Sequence, residues 1–189
     1  MKLLAALVHA AAASQVEVVF DSLAPVDKWA KGSPISSGQS VAVQFPSPGR
    51  CGTAGLTLEY VNFTLGRLDI PDDGSLWLQA ELCPSANGLP HCTNSDLEHI
   101  PIVKIAKRVT FQVFPPSPFV LEPATTYWFT VHSNGTKNKS PIWLDGTKKF
   151  STKNDPSKEV LVAYTEGDTW AVAVPTEDRF VPSLQVYTS

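Results

Sequence analysis

Short apolar runs separated by proline and glycine dominate the pattern of hydrophobic and polar positions along this chain. After residue 14, few apolar residues follow the 3.6-residue spacing of a helix. Runs rich in β-branched and aromatic residues have the length of strands. They cover residues 16–20, 41–45, 56–65, 76–82, 109–113, 127–131, 160–164, 170–174 and 180–187. Many short strands without helices predict an all-β fold, an antiparallel sandwich of the jelly-roll type.

Several runs also show which side of the strand faces the core, because successive side chains alternate across a sheet. In residues 76–82 the even positions are apolar, so Trp77 faces the opposite side. In residues 109–113 the odd positions are apolar. The apolar phase changes in the middle of residues 56–65, and a β-bulge near Tyr60 would let both halves face the core.

Turns are predicted where glycine follows asparagine, aspartate or glutamate, because glycine adopts a positive φ at little cost. These positions are 71–74, 87–88, 134–135, 145–146 and 166–168. The chain shows no internal repeat and no linker long enough to divide it. We therefore expect a single domain over residues 14–189.

The first thirteen residues have the pattern of a signal peptide. Lys2 precedes an apolar run over residues 3–13 that only His9 interrupts, and Ala11 and Ala13 form an A-x-A pair. Cleavage after Ala13 is expected, which makes residues 1–13 a leader. The alternative is that this segment is a buried first helix.

Composition excludes some partners. The chain has 189 residues, of which 43% are hydrophobic and 17% charged, and its formal net charge is −3. This balance is typical of a folded domain, and the scattered basic residues form no footprint for a nucleic-acid backbone. No later segment approaches the roughly 20 apolar residues that a membrane span needs. We expect neither a nucleic-acid partner nor a membrane span.

The three cysteines favour a disulfide between Cys83 and Cys92. Export implies an oxidising compartment, and the turn-rich segment between these two residues can bring them together. Pairing of either one with Cys51 is the alternative. A zinc site formed with His91 and His99 is disfavoured, because no C-x₂₋₄-C element is present.

N-glycosylation sequons occur at Asn62, Asn134 and Asn138. Each is an acceptor site if the host is eukaryotic, and a glycosylated chain would be an exported one.

Four blocks resemble the choice-of-anchor R domains of bacterial surface proteins. They are SGQSVAVQF at 37–45, WLQAEL at 77–82 leading into NGLP at 87–90, and ATTYWFTV at 124–131. The resemblance covers about residues 35–187 and implies an exported, jelly-roll-like sandwich, usually tethered by a separate C-terminal anchor. It brings no catalytic residues. Because the printed sequence carries no such anchor, we expect release rather than display.

Patterns for catalysis are weak. The chain has no G-x-S-x-G motif, and His132, at the end of a predicted strand, is a candidate for acid–base chemistry. Carboxylates available for a glycosidase pair are Glu59, Glu81, Asp145, Glu166 and Asp168. The sequence does not show whether two of them converge. No cofactor is expected, except that a structural calcium ion stays open through the acidic residues at 72–73 and 166–168.

Tryptophan offers the best candidates for ligand contact. Trp77 lies opposite the leucine face of its strand, and Trp143 lies in a segment that reads as a loop. An exposed ring could stack on a sugar, although burial of each ring is the favoured interpretation because of the area that a tryptophan gains by burial. The leading hypothesis is a secreted, non-enzymatic binding or surface-interaction module for glycans or cell-surface proteins. The alternatives are a carbohydrate-binding domain, a carbohydrate-active enzyme and a structural component of a wall or matrix.

Overall fold

A computed structural model of the chain describes residues 15–22, 25, 31–49, 55–66, 74–93, 99–102, 108–136, 139–149, 160–167, 169–174 and 179–189. The predicted signal peptide, Cys51 and Asn138 lie outside these residues, as do positions 71–73 and Asp168 of two predicted turns. The described part contains strands and no helix. None of it could cross a membrane as a helix.

The strands are short, as the punctuated sequence predicts. They are β1 (Glu17–Asp21), β2 (Gly32–Pro34), β3 (Val41–Pro46), β4 (Leu56–Gly66), β5 (Trp77–Ala86), β6 (Leu89–Pro90), β7 (Ile100–Pro101), β8 (Arg108–Val113), β9 (Val120–Leu121), β10 (Thr126–Ser133), β11 (Ile142–Lys149), β12 (Val162–Glu166), β13 (Thr169–Val172), β14 (Phe180–Pro182) and β15 (Leu184–Thr188).

Two antiparallel sheets pack together, which confirms the predicted β-sandwich. In the first sheet the order is β1-β15-β4-β11-β14, with β2 on β11 and with β8 and β9 on β4. In the second sheet the order is β13-β12-β3-β10-β5-β6, with β7 on β5. The jelly-roll connectivity stays a prediction.

The core lies between the two sheets and is rich in aromatic rings. Phe63 of the first sheet contacts Phe129 of the second, with ring centroids 5.5 Å apart. Trp143 meets Phe63 edge-on at 5.7 Å. Even positions of β5 and odd positions of β8 pack against this core, so the facing predicted for both segments is confirmed. Alternation explains this facing, because successive side chains of a strand point to opposite sides of the sheet.

The predicted bulge is present in β4. Tyr187 of β15 pairs with Tyr60, but the next residue, Thr188, pairs with Leu58, so Glu59 is the extra residue. This shift of register lets Leu58 and Val61 both face the core.

The turn prediction succeeds at Asn87–Gly88 and fails at Asp145–Gly146. Asn87 and Gly88 join β5 to β6 with φ angles of 54° and 75°, the two positive values that a tight hairpin needs. Asp145 and Gly146 instead lie buried inside β11. Residues 180–187 are also two strands rather than one, since β14 pairs with β11 and β15 with β4.

A smaller apolar cluster covers the outer side of the second sheet. Its buried members are Ala42, Cys83, Trp128 and Ala163, against which Cys92, Leu161 and Trp170 pack. Cys83 and Cys92 form a disulfide with Cα atoms 4.8 Å apart, which confirms that pairing. The bridge holds the β5–β6 hairpin against this outer cluster.

Candidate functional site

A polar pocket opens between the two sheets near β2, β12 and the start of β14. Its volume is about 330 Å³. The described residues that line it are Ser33, Pro34, Gln39, Tyr164, Thr165 and Arg179. Convergence of hydroxyl, amide and guanidinium groups in one concavity is typical of a small-molecule site.

Strand register explains why polar side chains meet at this edge of the core. Ser33 pairs directly with Trp143, so both side chains point from the first sheet towards the second. Asp145 follows two residues later in β11 and shares that face. From the second sheet, Tyr164 follows Val162 on the core-facing side of β12. The dry core therefore ends in a polar rim at this edge.

Arg179 connects three of these residues. Its Nε donates to Asp145 Oδ2 at 3.2 Å. Its Nη2 donates to Ser33 Oγ at 2.8 Å and to the Tyr164 hydroxyl at 3.4 Å. The Ser33 and Tyr164 hydroxyls are themselves 2.8 Å apart. One guanidinium thus holds groups from β2, β11 and β12 together.

The charges of this group are perturbed by burial. Burial raises the pKa of the Asp145 carboxyl above its ordinary value, and the neighbouring Arg179 offsets only part of that shift. Burial lowers the pKa of Arg179, but Tyr164 and Asp145 outweigh it and leave that pKa raised. Asp145 Oδ1 is buried and has no hydrogen-bond partner among the residues that the structure describes. Perturbed titratable groups beside a cleft are typical of functional sites.

Trp143 is not the exposed platform that the sequence suggested. It lies in β11 rather than in a loop, its exposed fraction is 0%, and its Nε1 donates to the Ser183 carbonyl at 2.8 Å. The prediction of an exposed ring is wrong here, because Trp143 fills the space between the two sheets.

Trp77 lies on the other sheet and is half-buried on its outer side. His99 stacks on its indole at 4.0 Å with an angle of 14° between the rings, so one face of Trp77 is covered. The two tryptophans do not form one binding surface, because Trp143 faces the core from the first sheet.

His132 has a serine partner on the outer side of the second sheet. Its Nδ1 lies 3.0 Å from Ser40 Oγ. Burial lowers the pKa of His132, and the charge of His99 lowers it further. A serine bonded to a histidine is two thirds of a nucleophile–base–orienter set. His132 stays a candidate for acid–base chemistry, and no catalytic role is assigned to it.

The described residues contain one group of side chains close enough together to bind a metal ion. Glu81, Cys83 and Cys92 place ligand atoms within 4.8 Å of one another, but both sulfurs belong to the disulfide and offer no thiolate. The calcium prediction stays open, since residues 72–73 and Asp168 lie outside the described part.

The sequons differ in their surroundings. Asn62 lies on the outer side of β4, opposite to its buried neighbours in the strand. The Asn134 side chain bonds the backbone at the start of β5. Its Oδ1 accepts from the backbone N–H of Trp77 at 2.8 Å, and its Nδ2 donates to the Ser75 carbonyl at 2.8 Å. Glycosylation at these positions and at Asn138 stays a prediction.

A second concavity is apolar, with a volume of about 120 Å³. It lies between the sheets beside β4, β5 and β8, and Phe114 at its lip is 61% exposed. Phe114 also contacts Tyr60, which stacks on Tyr187 at 4.4 Å on the outer side of the first sheet. The sequence analysis did not predict that Phe114, Tyr60 and Tyr187 lie together at the surface, because it considered only tryptophans as surface aromatic residues.

The polar pocket was also missed. Its members come from distant parts of the chain, and Arg179 belongs to no motif. One signal was available: Tyr164 falls in the apolar phase of residues 160–164, which places a hydroxyl at the core side of a strand.

Comparison with known proteins adds no functional information, since no family model, no curated protein and no solved structure matches the chain. The resemblance to choice-of-anchor R domains therefore stays a prediction. Function has to be argued from the site.

Proposed function

We propose that this protein is an extracellular, non-enzymatic binding domain whose ligand is a glycan held in the polar pocket. The observation that carries the proposal is the convergence of Ser33, Tyr164 and Arg179 on one concavity. Sugar hydroxyls both donate and accept hydrogen bonds, and the Tyr164, Arg179 and Gln39 side chains can together do the same, while the buried Ser33 helps to hold Tyr164 and Arg179 in place. The volume of about 330 Å³ is within the range of small-molecule sites and suits one sugar residue.

The carboxylate arrangement favours binding over glycoside hydrolysis. A glycosidase needs two carboxyl groups about 5 to 10 Å apart, both facing the scissile bond. Asp145 lies behind Arg179 and does not line the pocket, and the described lining residues include no other carboxylate. The enzyme alternative therefore lacks support in this part of the chain.

Export is the second part of the proposal. The disulfide between Cys83 and Cys92 is a feature of oxidising compartments, which agrees with the signal-peptide pattern. N-terminal sequencing of protein from the culture medium should find a chain that begins near Ser14. Secreted material that retains residues 1–13 would contradict the leader, and intact-mass analysis from a eukaryotic host would test the three sequons.

A glycan array with matched variants tests the ligand class. Gln39→Ala removes a lining side chain whose Nε2 donates to the Pro34 carbonyl at 3.2 Å and to no other described residue, so the fold should persist. The control is Gln185→Ala, which removes a half-buried glutamine that bonds Asp21 on the outer side of the first sheet. We expect Gln39→Ala to weaken the array signal several-fold and Gln185→Ala to leave it unchanged. Absence of any glycan signal, or equal signals for both variants, would contradict the proposal.

A further inference from the structure

The burial of Ser33 favours one direction for the hydrogen bond between the two hydroxyls of the pocket. Ser33 Oγ accepts from Arg179 and lies 2.8 Å from the Tyr164 hydroxyl, so one of the two hydroxyl protons occupies that contact. Ser33 is 0% exposed and has no further partner in the described part of the chain. Tyr164 is therefore the one described acceptor for the Ser33 hydroxyl proton. Donation from Ser33 to Tyr164 is the arrangement that gives the Ser33 proton an acceptor. The Tyr164 proton is left to point into the pocket.

Arg179 offers a second donor. Its Nε is held by Asp145 and its Nη2 by Ser33 and Tyr164, while no described residue accepts from Nη1. The guanidinium side chain is 32% exposed and lines the pocket. Its two Nη1 protons are thus available to a ligand, because a guanidinium carries five N–H groups in a fixed plane.

Arg179 brings a positive charge to the part of the pocket that the structure describes. Asp145, the counterion of Arg179, has a side chain that is 5% exposed and lies behind the guanidinium. The other described lining residues are uncharged. Among the described lining residues, a ligand in the pocket therefore meets a cation and hydrogen-bond donors but no carboxylate.

We infer that the pocket takes a carboxylate, so that the glycan of the proposed function is an acidic one containing uronic acid. Arg179 Nη1 donates to one carboxylate oxygen and the Tyr164 hydroxyl donates to the other, while the Gln39 amide is available to a sugar hydroxyl. Charge-assisted hydrogen bonds of this kind are about twice as strong as neutral ones. The inference rests on the proposed function and narrows its ligand class.

Matched ligand pairs test this directly. Glucuronate, galacturonate and mannuronate oligomers are titrated calorimetrically against their own methyl esters, which keep the sugar and remove the negative charge. At least one acid should bind roughly tenfold more tightly than its ester, as expected for one added charge-assisted bond. Sulfated neutral oligomers form a third arm, because sulfate also accepts from arginine.

Variants locate the site. Tyr164→Phe removes the donor and keeps the ring, and we expect it to weaken binding of the acid several-fold more than binding of the ester. Tyr187→Phe makes the same change on the outer side of the first sheet, where Gln185, at 3.4 Å, is the one described partner of the hydroxyl, and should leave both affinities unchanged. Arg179→Lys keeps a positive charge but loses the planar set of donors, and it should also reduce the preference for the acid.

The outcomes separate the two proposals. Esters that bind as tightly as acids, or sulfated oligomers that bind more tightly, would overturn the carboxylate and leave glycan binding intact. A folded Tyr164→Phe variant with unchanged preference would overturn the assignment of its hydroxyl. If no saccharide of any arm binds, both proposals fail.

Discussion

Removal of Arg179 should expose the cost of burying Asp145. In Arg179→Gln the carboxylate keeps its place in β11 but loses the cation at 3.2 Å, and the shorter amide cannot restore the charge. Ser33 and Tyr164 lose a donor as well. The variant should be measurably less stable at neutral pH.

The size of this loss follows from geometry and exposure. Two unit charges about 4 Å apart attract by about 4 kcal/mol at the effective dielectric constant of 20 that suits protein sites. Loss of one partner of a fully buried pair costs about 3–5 kcal/mol. Because the Arg179 side chain is 32% exposed, water screens part of the interaction. We therefore expect a loss of about 2–3 kcal/mol in the free energy of unfolding, below the fully buried range.

The pH dependence identifies the cause. Burial already raises the pKa of Asp145 above its ordinary value of 3.8, and without Arg179 that pKa rises further. A folded state that holds a proton more tightly than the unfolded state is stabilised at low pH and loses this stabilisation as pH rises through the folded pKa. The deficit of the variant should therefore be largest near neutrality and shrink on acidification.

Urea unfolding followed by tryptophan fluorescence measures this at about pH 4.5 and about pH 7.5. The double variant Asp145→Asn/Arg179→Gln is the control, because it has no buried carboxylate to titrate. It should lose the extra pH dependence of Arg179→Gln. The reasoning would be refuted by a deficit that is equal at both pH values, or by one below about 0.5 kcal/mol near neutrality, the scale of an ordinary surface substitution.

Three further expectations concern the core, the disulfide and the outer side of the second sheet. Trp143→Ala should cost about 3–5 kcal/mol in urea unfolding, whereas Trp77→Ala, at a half-buried position, should cost about 1–2 kcal/mol; similar losses would contradict the assigned burial. Replacement of Cys83 and Cys92 by alanine should cost roughly 2–3 kcal/mol by the loop-entropy model, and non-reducing peptide maps should show the two residues linked. Burial and His99 lower the pKa of His132 in the folded state, so on acidification the unfolded state becomes protonated at a higher pH than the folded state. Stability should therefore fall as pH drops below about 6.5. His132→Gln should lack this component, and an unchanged pH profile in that variant would count against it.

Local features of this protein could be predicted from its sequence. The facing of residues 76–82 and 109–113 followed from alternation alone, since a side chain two residues along a strand returns to the same side. The phase change at Tyr60 indicated a bulge because only an extra residue could keep both halves of the strand facing the core. The Asn87–Gly88 turn and its flanking disulfide depend on a few neighbouring residues. Asparagine and glycine adopt positive φ angles readily, so these two residues alone predict the turn.

Other features depended on residues far apart in the chain. Asp145–Gly146 reads as a turn by its own preferences, yet it is buried in β11, where Arg179, thirty-four residues away, compensates the carboxylate. Trp143 is in the core because the second sheet covers it, which no local pattern around it states. The pocket joins Ser33 to Arg179 across 146 residues, and hydrogen bonds between such groups form only after the two sheets have packed. Alternation determined which side of each strand is apolar, but the pairing of strands decided which polar groups meet where the core ends.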